Sequence, residues 1–308
     1  MKKIVFLLVF ILLFTYTTAF ADNLSLEGEA AILMDFDTKE ILYEKNMDMR
    51  LYPASTTKIA TAILALELGK LNEIVTVDQE IVDLTEGSHI ALEPGEKLTL
   101  EQMLNALLIP SANDAALSIA KHISGSIDGF VNLMNEKAKV LGATNTNFVN
   151  PNGLHEDNHY SSAHDIALFA QYAMQNETFK NIVNTVTYEI PPTNLKEETR
   201  YFKNTNRLLS DHTKIYVDDN YIPTKYEGAS GVKTGTTSQA QFCLSSYAEK
   251  NGQRLIAVVL KSSVHGVYSD THKLLNYGFN NFDNTTIAFK NEFIENIEIK
   301  DGVQTYVA

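Results

Sequence analysis

Residues 55–68 read STTKIATAILALEL, and this stretch decides how the rest of the sequence is interpreted. After its first turn the stretch is apolar on almost every side, and Gly69 follows as a stop signal for a helix. A helix that lacks a polar face has to be buried all round. The sequence therefore predicts a central buried helix with Ser55 and Lys58 in its first turn, where residues three apart share one face.

Strand patterns occur toward both ends of the chain, and helical patterns fill the region between them. Short apolar runs predict the strands, and Asn251-Gly252 predicts a hairpin between the last two. The predicted strands are 31–34, 41–43, 232–236, 241–247 and 254–260. The predicted helices, besides 55–68, are 98–108, 113–123, 130–141, 165–174 and 270–277. The fold class is mixed α/β (α+β), with a mainly antiparallel sheet built from both chain ends and an inserted helical region.

The first 21 residues are typical of a signal peptide. Lys2 and Lys3 precede an apolar run from Ile4 to Phe14, and Ala19 and Ala21 have the small-residue spacing of a cleavage site. The apolar run is shorter than the roughly 20 residues that span a membrane. We therefore expect cleavage after Ala21 and export of the mature chain, with an uncleaved anchor as the alternative.

The composition excludes several classes of protein. The formal net charge is −13 and no run of Lys or Arg is present, which excludes nucleic acid as a partner. A hydrophobic fraction of 44% with 20% charged residues excludes a disordered chain and a multi-span membrane protein. The one cysteine, Cys243, cannot form an internal disulfide, and its apolar neighbours predict a small core residue rather than a reactive thiol.

The end of the chain carries a separate pattern. Ile297 and Ile299 alternate with charged residues, and Asp301-Gly302 precedes the apolar stretch 303–307, which predicts a hairpin. We therefore expect a signal peptide 1–21, a main domain 22–284 and a C-terminal β-hairpin 285–308. No membrane anchor is visible in the sequence, and membrane association stays open.

Three short motifs carry chemically reactive side chains. They are Ser55-x-x-Lys58 at the start of the buried helix, Ser111-x-Asn113 in a connection between helices, and Lys233-Thr234-Gly235 on a predicted strand. Each motif alone is a weak signal, because S-x-x-K arises by chance in many proteins. In this order, and in these helix, loop and strand contexts, the trio is the signature of penicillin-binding proteins and class A β-lactamases.

The residue types fit nucleophilic catalysis by a serine. A serine hydroxyl is a poor nucleophile without a base, and a lysine acts as a base only when it is neutral. The ordinary lysine pKa near 10.4 has to fall by roughly 3 units for this to happen at neutral pH. Burial of Lys58 and a second cation, Lys233, both lower its pKa. Asn113 can accept a hydrogen bond from Lys58 or donate one to a substrate amide, and Ser111 could relay a proton to the leaving nitrogen.

The strand that carries the third motif supplies groups for binding a substrate. Lys233 and the hydroxyls of Thr234 and Thr236 can hold a carboxylate, and Gly235 lets a substrate backbone approach the strand closely. The oxyanion that develops during acyl transfer needs fixed donors. The backbone N–H groups of Ser55 and Thr236 are the candidates.

Longer local matches surround these motifs. From about Ala30 to Phe282 the sequence resembles the D-alanyl-D-alanine carboxypeptidases, the low-molecular-mass penicillin-binding proteins. The matching stretches are YPASTTK (52–58), GEKLTLEQMLNALLIPSANDAA (95–116), NPNGLHEDNHYSSAHDIA (150–167), GVKTGTTSQAQFCL (231–244), RLIAVVL (254–260) and LLNYGF (274–279).

The resemblance implies a β-lactamase/transpeptidase-like fold that uses no cofactor and no metal. It implies that Ser55 is the acylated nucleophile and Lys58 its base. The implied activity removes the terminal D-alanine from peptidoglycan stem pentapeptides, a step of cell-wall biosynthesis that affects cell shape, and β-lactams are the implied inhibitors. The other implied site residues are Ser111, Asn113 and Lys233 in the proton network, and Thr234, Gly235 and Thr236 beside the substrate.

The sequence departs from the family pattern at identifiable positions. Val267 stands where the family usually has an arginine that grips the terminal carboxylate of the substrate, and Arg254, on a predicted strand, is not an obvious substitute. Gln241 replaces a glycine that usually follows the K-T-G motif. The family's β-rich second domain and amphipathic anchor are mostly absent, and the closing hairpin is the expected start of such a domain.

Other functions have weaker support in the sequence. Residues 155–159 read HEDNH and match a zinc-protease motif, but that motif requires a helix, and the surrounding turn residues predict a loop in which His159 has a structural or pocket-lining role. Glu101 resembles the deacylating glutamate of β-lactamases, but it precedes Ser111 instead of following it. The remaining alternatives are a class A-like β-lactamase and a peptidoglycan-binding protein with little turnover.

Overall fold

The computed structural model describes residues 24–283, together with the backbone of residues 297–298 and 306–307. Residues 1–21, for which we expect a signal peptide, lie outside the described residues, as does most of the predicted hairpin 285–308. Within that hairpin, the backbone of Ile297–Glu298 pairs antiparallel with Tyr306–Val307.

An antiparallel sheet of five strands forms the framework of the fold. The strands are β1 (Ala30–Asp35), β2 (Ile41–Lys45), β3 (Ile74–Thr76), β4 (Lys97–Thr99), β5 (Thr187–Ile190), β6 (Arg200–Lys203), β7 (Lys214–Val217), β8 (Asn220–Pro223), β9 (Ala229–Thr237), β10 (Gln241–Lys250), β11 (Gln253–Ser262), β12 (Ile297–Glu298) and β13 (Tyr306–Val307). The sheet has the order β2-β1-β11-β10-β9, and the other strands form separate two-stranded pairs. Because its first two strands come from one end of the chain and the other three from the far end, the predicted sheet is confirmed.

Helices fill the chain between the two parts of the sheet. They are α1 (Lys58–Leu68), α2 (Gln79–Asp83), α3 (Leu100–Leu108), α4 (Asn113–Ser124), α5 (Ile127–Leu141), α6 (Ala163–Ala173), α7 (Glu177–Asn184) and, after the sheet, α8 (Gly266–Asn281). The predicted insertion of a helical region into the sheet is therefore confirmed.

Both faces of the sheet are covered at β1. In β1, Ala30, Ile32 and Met34 pack with the inserted helices, whereas Ala31 and Leu33 pack in a second core with residues of α8. A strand covered on both faces shows a continuous apolar run instead of polar alternation. Every residue of β1 is buried, and its sequence is apolar from Ala30 to Met34 without interruption.

Helix α1 is buried over residues 58–65, as its composition predicts. A short 3-10 turn, Ala54–Thr57, precedes it, so that Ser55 lies just before the α-helix rather than within it. The Thr56 hydroxyl donates to the Pro53 carbonyl oxygen at 2.8 Å inside this turn. Turns of this kind are frequent at helix N-termini.

Several element boundaries differ from the prediction for local reasons. The predicted helix 98–108 begins at Leu100, because the Thr99 and Gln102 side chains form a reciprocal capping box. The last helix begins at Gly266, four residues before its predicted start. The peripheral pairs β3–β4, β5–β6 and β7–β8 and the helices α2 and α7 were not predicted, because each is shorter than the roughly 10 residues over which a helix can be told from other short runs.

Among the described residues, no helix combines the length and the apolar character that a bilayer crossing requires.

Candidate active site

Ser55 lies in a turn that has close neighbours on two sides. Ala54, directly before it, has a φ of +48°, in the left-handed region that residues with a side chain rarely adopt. A Cβ atom on Gly153 would overlap with the Ala54 carbonyl group, and a Cβ atom on Gly235 would lie 3.1 Å from Ser55 N. Glycine at both positions therefore allows the loop 150–160 and strand β9 to press against the turn.

Lys58 is fully buried and reaches three oxygen atoms. Its Nζ lies 2.9 Å from Ser55 Oγ, 2.6 Å from Asn113 Oδ1 and 2.7 Å from the backbone carbonyl oxygen of Asn152. Ser55 comes from the turn before α1, Asn113 is the first residue of α4, and Asn152 belongs to the loop 150–160. Three separate segments of the chain thus converge on one amine.

The hydrogen-bonding capacity of these groups defines what each partner does. The Asn152 carbonyl and the Asn113 amide oxygen can only accept. A neutral amine has two N–H groups and one lone pair, so donation to these two oxygens directs the lone pair of Lys58 at Ser55 Oγ. The serine hydroxyl then donates to the amine, which is the geometry that a serine nucleophile and its base require.

The electrostatic environment of two buried lysines favours the neutral amine. Burial and, next, repulsion from Lys233 hold the pKa of Lys58 well below its ordinary value, while Asp114 acts in the opposite direction. Burial lowers the pKa of Lys233 to about 7. These directions agree with the expectation from the sequence, since desolvation and a like charge both destabilise an ammonium.

The second motif lies at the start of α4. The Asn113 side chain accepts from Lys58, and its Nδ2 donates to the carbonyl oxygen of Glu86 at 2.6 Å, so the amide is held at both ends. Of the two roles that the sequence left open for Asn113, the structure shows the hydrogen bond with Lys58. Ser111 has a φ of +68° and lines the same cavity as Ser55.

The third motif runs along β9, at the edge of the sheet. Lys233 is buried, and its Nζ donates to the Thr234 carbonyl oxygen at 3.1 Å. The Thr234 hydroxyl lies 2.6 Å from the Thr205 hydroxyl. A Cβ atom on Gly235 would meet the Pro53 carbonyl oxygen at 2.9 Å. The close packing of β9 on the turn 54–57 is thus a second reason for glycine at 235, beside the predicted approach of a substrate.

A cavity of about 260 Å³ is lined by residues of all three motifs, although Lys58, Asn113 and Lys233 are not among them. Ser55, Ser111 and residues 234–236 line it, and so do Ser88, Thr205 and Arg207, which the sequence analysis did not select. None of the described residues that line the cavity carries a carboxylate. Asparagines at 204 and 206 could have marked a tight turn before Arg207, but no local pattern indicates which strand that turn faces.

The loop 150–160 supports the site from behind. The ring of His159 lies with Nε2 2.8 Å from Thr57 Oγ1, and its Nδ1 accepts from the Val149 N–H at 3.1 Å. Because Nδ1 accepts, Nε2 carries the proton and donates to Thr57. Burial, with smaller contributions from His155 and Lys58, lowers the pKa of His159 to about 4. The neutral ring therefore ties the loop to the turn beside the nucleophile.

The residues that suggested a zinc site, a β-lactamase glutamate or a reactive thiol do not have the environments that those functions require. Residues 155–159 form no helix, and the His155 ring instead lies edge-on to Tyr52 with 4.5 Å between the ring centroids. In residues 24–283 no group of three side chains could hold a metal ion. Glu101 is exposed on α3. Burial raises the pKa of the Cys243 thiol to about 12, as befits the core residue that the sequence predicts.

Comparison with known proteins leads to the same chemistry. The sequence profile of the D-alanyl-D-alanine carboxypeptidases (peptidase S11) matches residues 16–264. The chain belongs to this family. The D-alanyl-D-alanine carboxypeptidase DacF of Bacillus subtilis (strain 168) is 36% identical over 315 aligned positions, which cover 98% of this chain and 77% of the relative. The D-alanyl-D-alanine carboxypeptidase of Streptomyces sp. (strain K15) is 35% identical over 261 positions, covering 80% and 85%.

Solved structures of DD-peptidases share the fold of this D-alanyl-D-alanine carboxypeptidase family member. The crystal structure of the Streptomyces K15 DD-transpeptidase matches it with a TM-score of 0.75 at 32% identity, covering 83% of this chain and 98% of that one. The D-alanyl-D-alanine carboxypeptidase of Mycobacterium tuberculosis H37Rv matches with a TM-score of 0.74 at 29% identity, covering 84% and 95%. The predicted β-lactamase/transpeptidase-like fold is confirmed.

Proposed function

We propose that this protein is a serine D-Ala-D-Ala carboxypeptidase that removes the terminal D-alanine from peptidoglycan stem pentapeptides through an acyl-enzyme on Ser55. The observation that carries the proposal is the buried amine of Lys58, which in its neutral form directs a lone pair at the Ser55 hydroxyl 2.9 Å away. Membership of the D-alanyl-D-alanine carboxypeptidase family supports the same reaction.

In the acylation step, Ser55 Oγ attacks the carbonyl carbon of the penultimate D-alanine and its proton passes to Lys58 Nζ. The Ser55 N–H, which at a helix N-terminus has no acceptor within the helix, donates to the developing oxyanion together with the Thr236 N–H. The C–N bond then breaks. Lys58 returns the proton through the Ser111 hydroxyl to the nitrogen of the departing D-alanine.

In the deacylation step, water takes the place of the departed D-alanine. Lys58 accepts a proton from the water, whose oxygen attacks the ester carbonyl. The bond between the carbonyl carbon and Ser55 Oγ then breaks, and Lys58 returns the proton to Oγ, which restores the hydroxyl. Asn113 and Asn152 hold the amine in position during both steps, since each accepts one of its N–H groups. Thr234 and Thr236 bind the substrate along β9, with Gly235 between them, while desolvation and the buried Lys233 keep the pKa of Lys58 low.

The same chemistry makes β-lactams inhibitors of this enzyme. When Ser55 opens the β-lactam ring, the leaving nitrogen stays covalently attached and blocks the approach of water. A β-lactamase overcomes this with a carboxylate that activates the water, and none of the described residues lining the cavity supplies one. This favours the carboxypeptidase over the β-lactamase alternative.

Release of D-alanine tests the proposal directly. The purified mature protein is incubated with a stem pentapeptide ending in D-Ala-D-Ala, and free D-alanine is measured. We expect release by the wild type and none by Ser55→Ala. Ser118→Ala is the matched control, because its buried hydroxyl on α4 has no hydrogen-bond partner within the described part of the chain. Labelling of Ser55 by a fluorescent penicillin without any release of D-alanine would instead support a binding protein with little turnover.

We also propose that the chain is exported and acts outside the cytoplasm, where peptidoglycan lies. The charged start, short apolar run and small residues before Asp22 support a signal peptide 1–21 ahead of the domain 22–284, with 285–308 as a separate hairpin. N-terminal sequencing of protein secreted by the native host should begin at Asp22. A mature chain that still begins at Met1 would contradict this proposal.

A further inference from the structure

We propose that Arg207 binds the terminal carboxylate of the substrate and thereby selects peptides with a free C-terminus. This inference rests on the proposed function, because that reaction brings the carboxylate of the terminal D-alanine into the cavity beside Ser55.

The cavity needs a cation for this anion, in a chain whose net charge is −13. Among the described residues that line it, Arg207 alone carries a cationic side chain. Lys233 lies behind the cavity wall, fully buried, and directs its Nζ at the Thr234 carbonyl oxygen. A guanidinium also matches the planar, two-oxygen shape of a carboxylate better than an ammonium does.

Three kinds of contact hold the Arg207 guanidinium at the cavity wall. Its Nε donates to Asp211 Oδ2 at 2.5 Å, and its Nη2 lies 3.3 Å from both Thr213 Oγ1 and Thr224 Oγ1. Its Cζ lies 5.0 Å from the centroid of the Tyr268 ring. The Nη1 atom has no acceptor among the residues that the structure describes, so its two N–H groups can donate to a ligand.

Arg207 also supplies a positive charge at a part of the cavity wall where Val267 supplies none. Val267 lines the cavity without any polar side-chain atom, and Tyr268, the next residue, is the ring against which Arg207 lies. Arg207 thus brings a guanidinium from a different segment of the chain to this wall. Thr205, two residues earlier, contacts Thr234 of β9, so the same segment reaches the strand that binds the substrate.

A purely structural role is the competing explanation. The Arg207–Asp211 ion pair joins residues four apart in the segment before β7, and its loss could loosen that segment without any contact to substrate. The test therefore has to separate binding of the carboxylate from support of the loop. The peptide carboxamide provides this separation, because it differs from the substrate only in lacking the terminal negative charge.

The experiment compares kcat/KM for an N-acylated D-Ala-D-Ala peptide and for its C-terminal carboxamide. We expect Arg207→Gln to lower kcat/KM for the carboxylate about ten- to a hundredfold, the effect of losing a charged hydrogen-bond partner, and to change that for the carboxamide less than twofold. Arg207→Lys should recover part of the loss. Equal losses with both peptides, or no loss with either, would overturn the proposal.

Arg254→Gln is the matched control. Arg254 also pairs with an aspartate, Asp37, and lies 4.8 Å from an aromatic ring centroid, that of Phe36, but it does not line the cavity. We expect no change in the preference between the two peptides. Thermal unfolding of each variant reports any loss of folding.

Acylation by benzylpenicillin and by its methyl ester repeats the comparison without turnover. We expect Arg207→Gln to slow acylation by the free acid and to leave that by the ester nearly unchanged. If the wild type hydrolyses no peptide but Arg207→Gln slows acylation by the free acid and not by the ester, the proposed function is wrong and the role of Arg207 stands. A wild type that hydrolyses the peptide, with Arg207→Gln unaffected in both assays, would remove only the role of Arg207.

Discussion

The backbone carbonyl oxygen of Asn152 accepts a hydrogen bond from Lys58 Nζ at 2.7 Å, although 94 residues separate them in the sequence. Because a carbonyl cannot donate, this contact uses one N–H of the amine under all conditions. With Asn113 as the second acceptor, the third position on the nitrogen faces Ser55. The loop 150–160 therefore helps to orient the amine of Lys58, although it contributes only a backbone carbonyl.

Replacement of Lys58 by arginine should abolish acylation. Arginine keeps a positive charge near the nucleophile but does not deprotonate in proteins, so we expect the rate of labelling by a fluorescent penicillin to fall by about a hundredfold or more. Thermal unfolding of the variant shows whether it folds. Labelling at the wild-type rate would exclude Lys58 as the base.

The pH dependence of acylation should report the lowered pKa of Lys58. The base is active when deprotonated, so the rate rises with pH through the pKa of Lys58 in the free enzyme. Because burial and Lys233 hold that pKa well below 10.5, we expect the rise to be complete before pH 10. Stopped-flow acylation between pH 5 and pH 10 measures it, and a rate still climbing steeply at pH 10 would contradict the assignment.

Gly235→Ala should impair the nucleophile turn more than the fold. The new methyl group would lie 2.9 Å from Pro53 O, 3.1 Å from Ala54 Cβ and 3.1 Å from Ser55 N, so the turn has to move away from β9. We expect penicillin acylation to fall at least about tenfold, since small displacements of a positioned nucleophile have large effects on rate.

Gly129→Ala on α5 is the control for this substitution. There the nearest atom outside the backbone is the Ser126 hydroxyl, at 3.0 Å, and the site lies in a different part of the chain. Alanine in a helix is favoured over glycine, so we expect unchanged acylation. Equal acylation rates for wild type and Gly235→Ala would show that the turn tolerates the methyl group.

His159 should make the protein less stable in mild acid. Its pKa is about 4 in the folded chain and 6.5 ordinarily, so between these values the unfolded chain binds a proton that the folded chain excludes. The free energy of unfolding therefore falls as the pH falls from 6.5 to 4, by up to about 1.4 kcal/mol per pH unit from this group. Urea unfolding of wild type and His159→Gln at pH 7 and pH 4.5 measures the difference. The variant should lose less stability than the wild type, and parallel losses would contradict the prediction.

Lys233 should produce the same kind of pH dependence at alkaline pH. Its pKa is about 7 when folded and 10.5 ordinarily, so above pH 7 the unfolded chain again binds the extra proton. The free energy of unfolding then rises with pH from about 7 toward 10.5, because protonation no longer favours the unfolded chain as strongly. Lys233→Met lacks this contribution and should show a smaller rise between pH 7 and pH 9.5. An identical rise in both proteins would mean that Lys233 titrates normally.

Much of the architecture followed from local patterns. The continuous apolar run of β1 and the apolar surface of α1 predicted burial on all sides, and Asn251-Gly252 predicted the hairpin between β10 and β11. Both residues of that turn have positive φ, of 52° and 84°, as the two-residue turn requires. The boundaries were less accurate where a side chain such as Thr99 ends one element and caps the next.

By itself, the sequence selected Ser55 and Lys58 as the proposed nucleophile and base, because residues three apart at the start of a helix share one face. Only the tertiary structure decided that the Asn152 carbonyl completes the environment of the amine, that Gly153 and Gly235 enclose the nucleophile turn, and that Arg207 reaches the wall of Val267. A backbone carbonyl has the same chemistry in every residue, and contacts between distant segments depend on the path of the chain. No local pattern therefore encodes them, and they arise when the loops pack against the sheet.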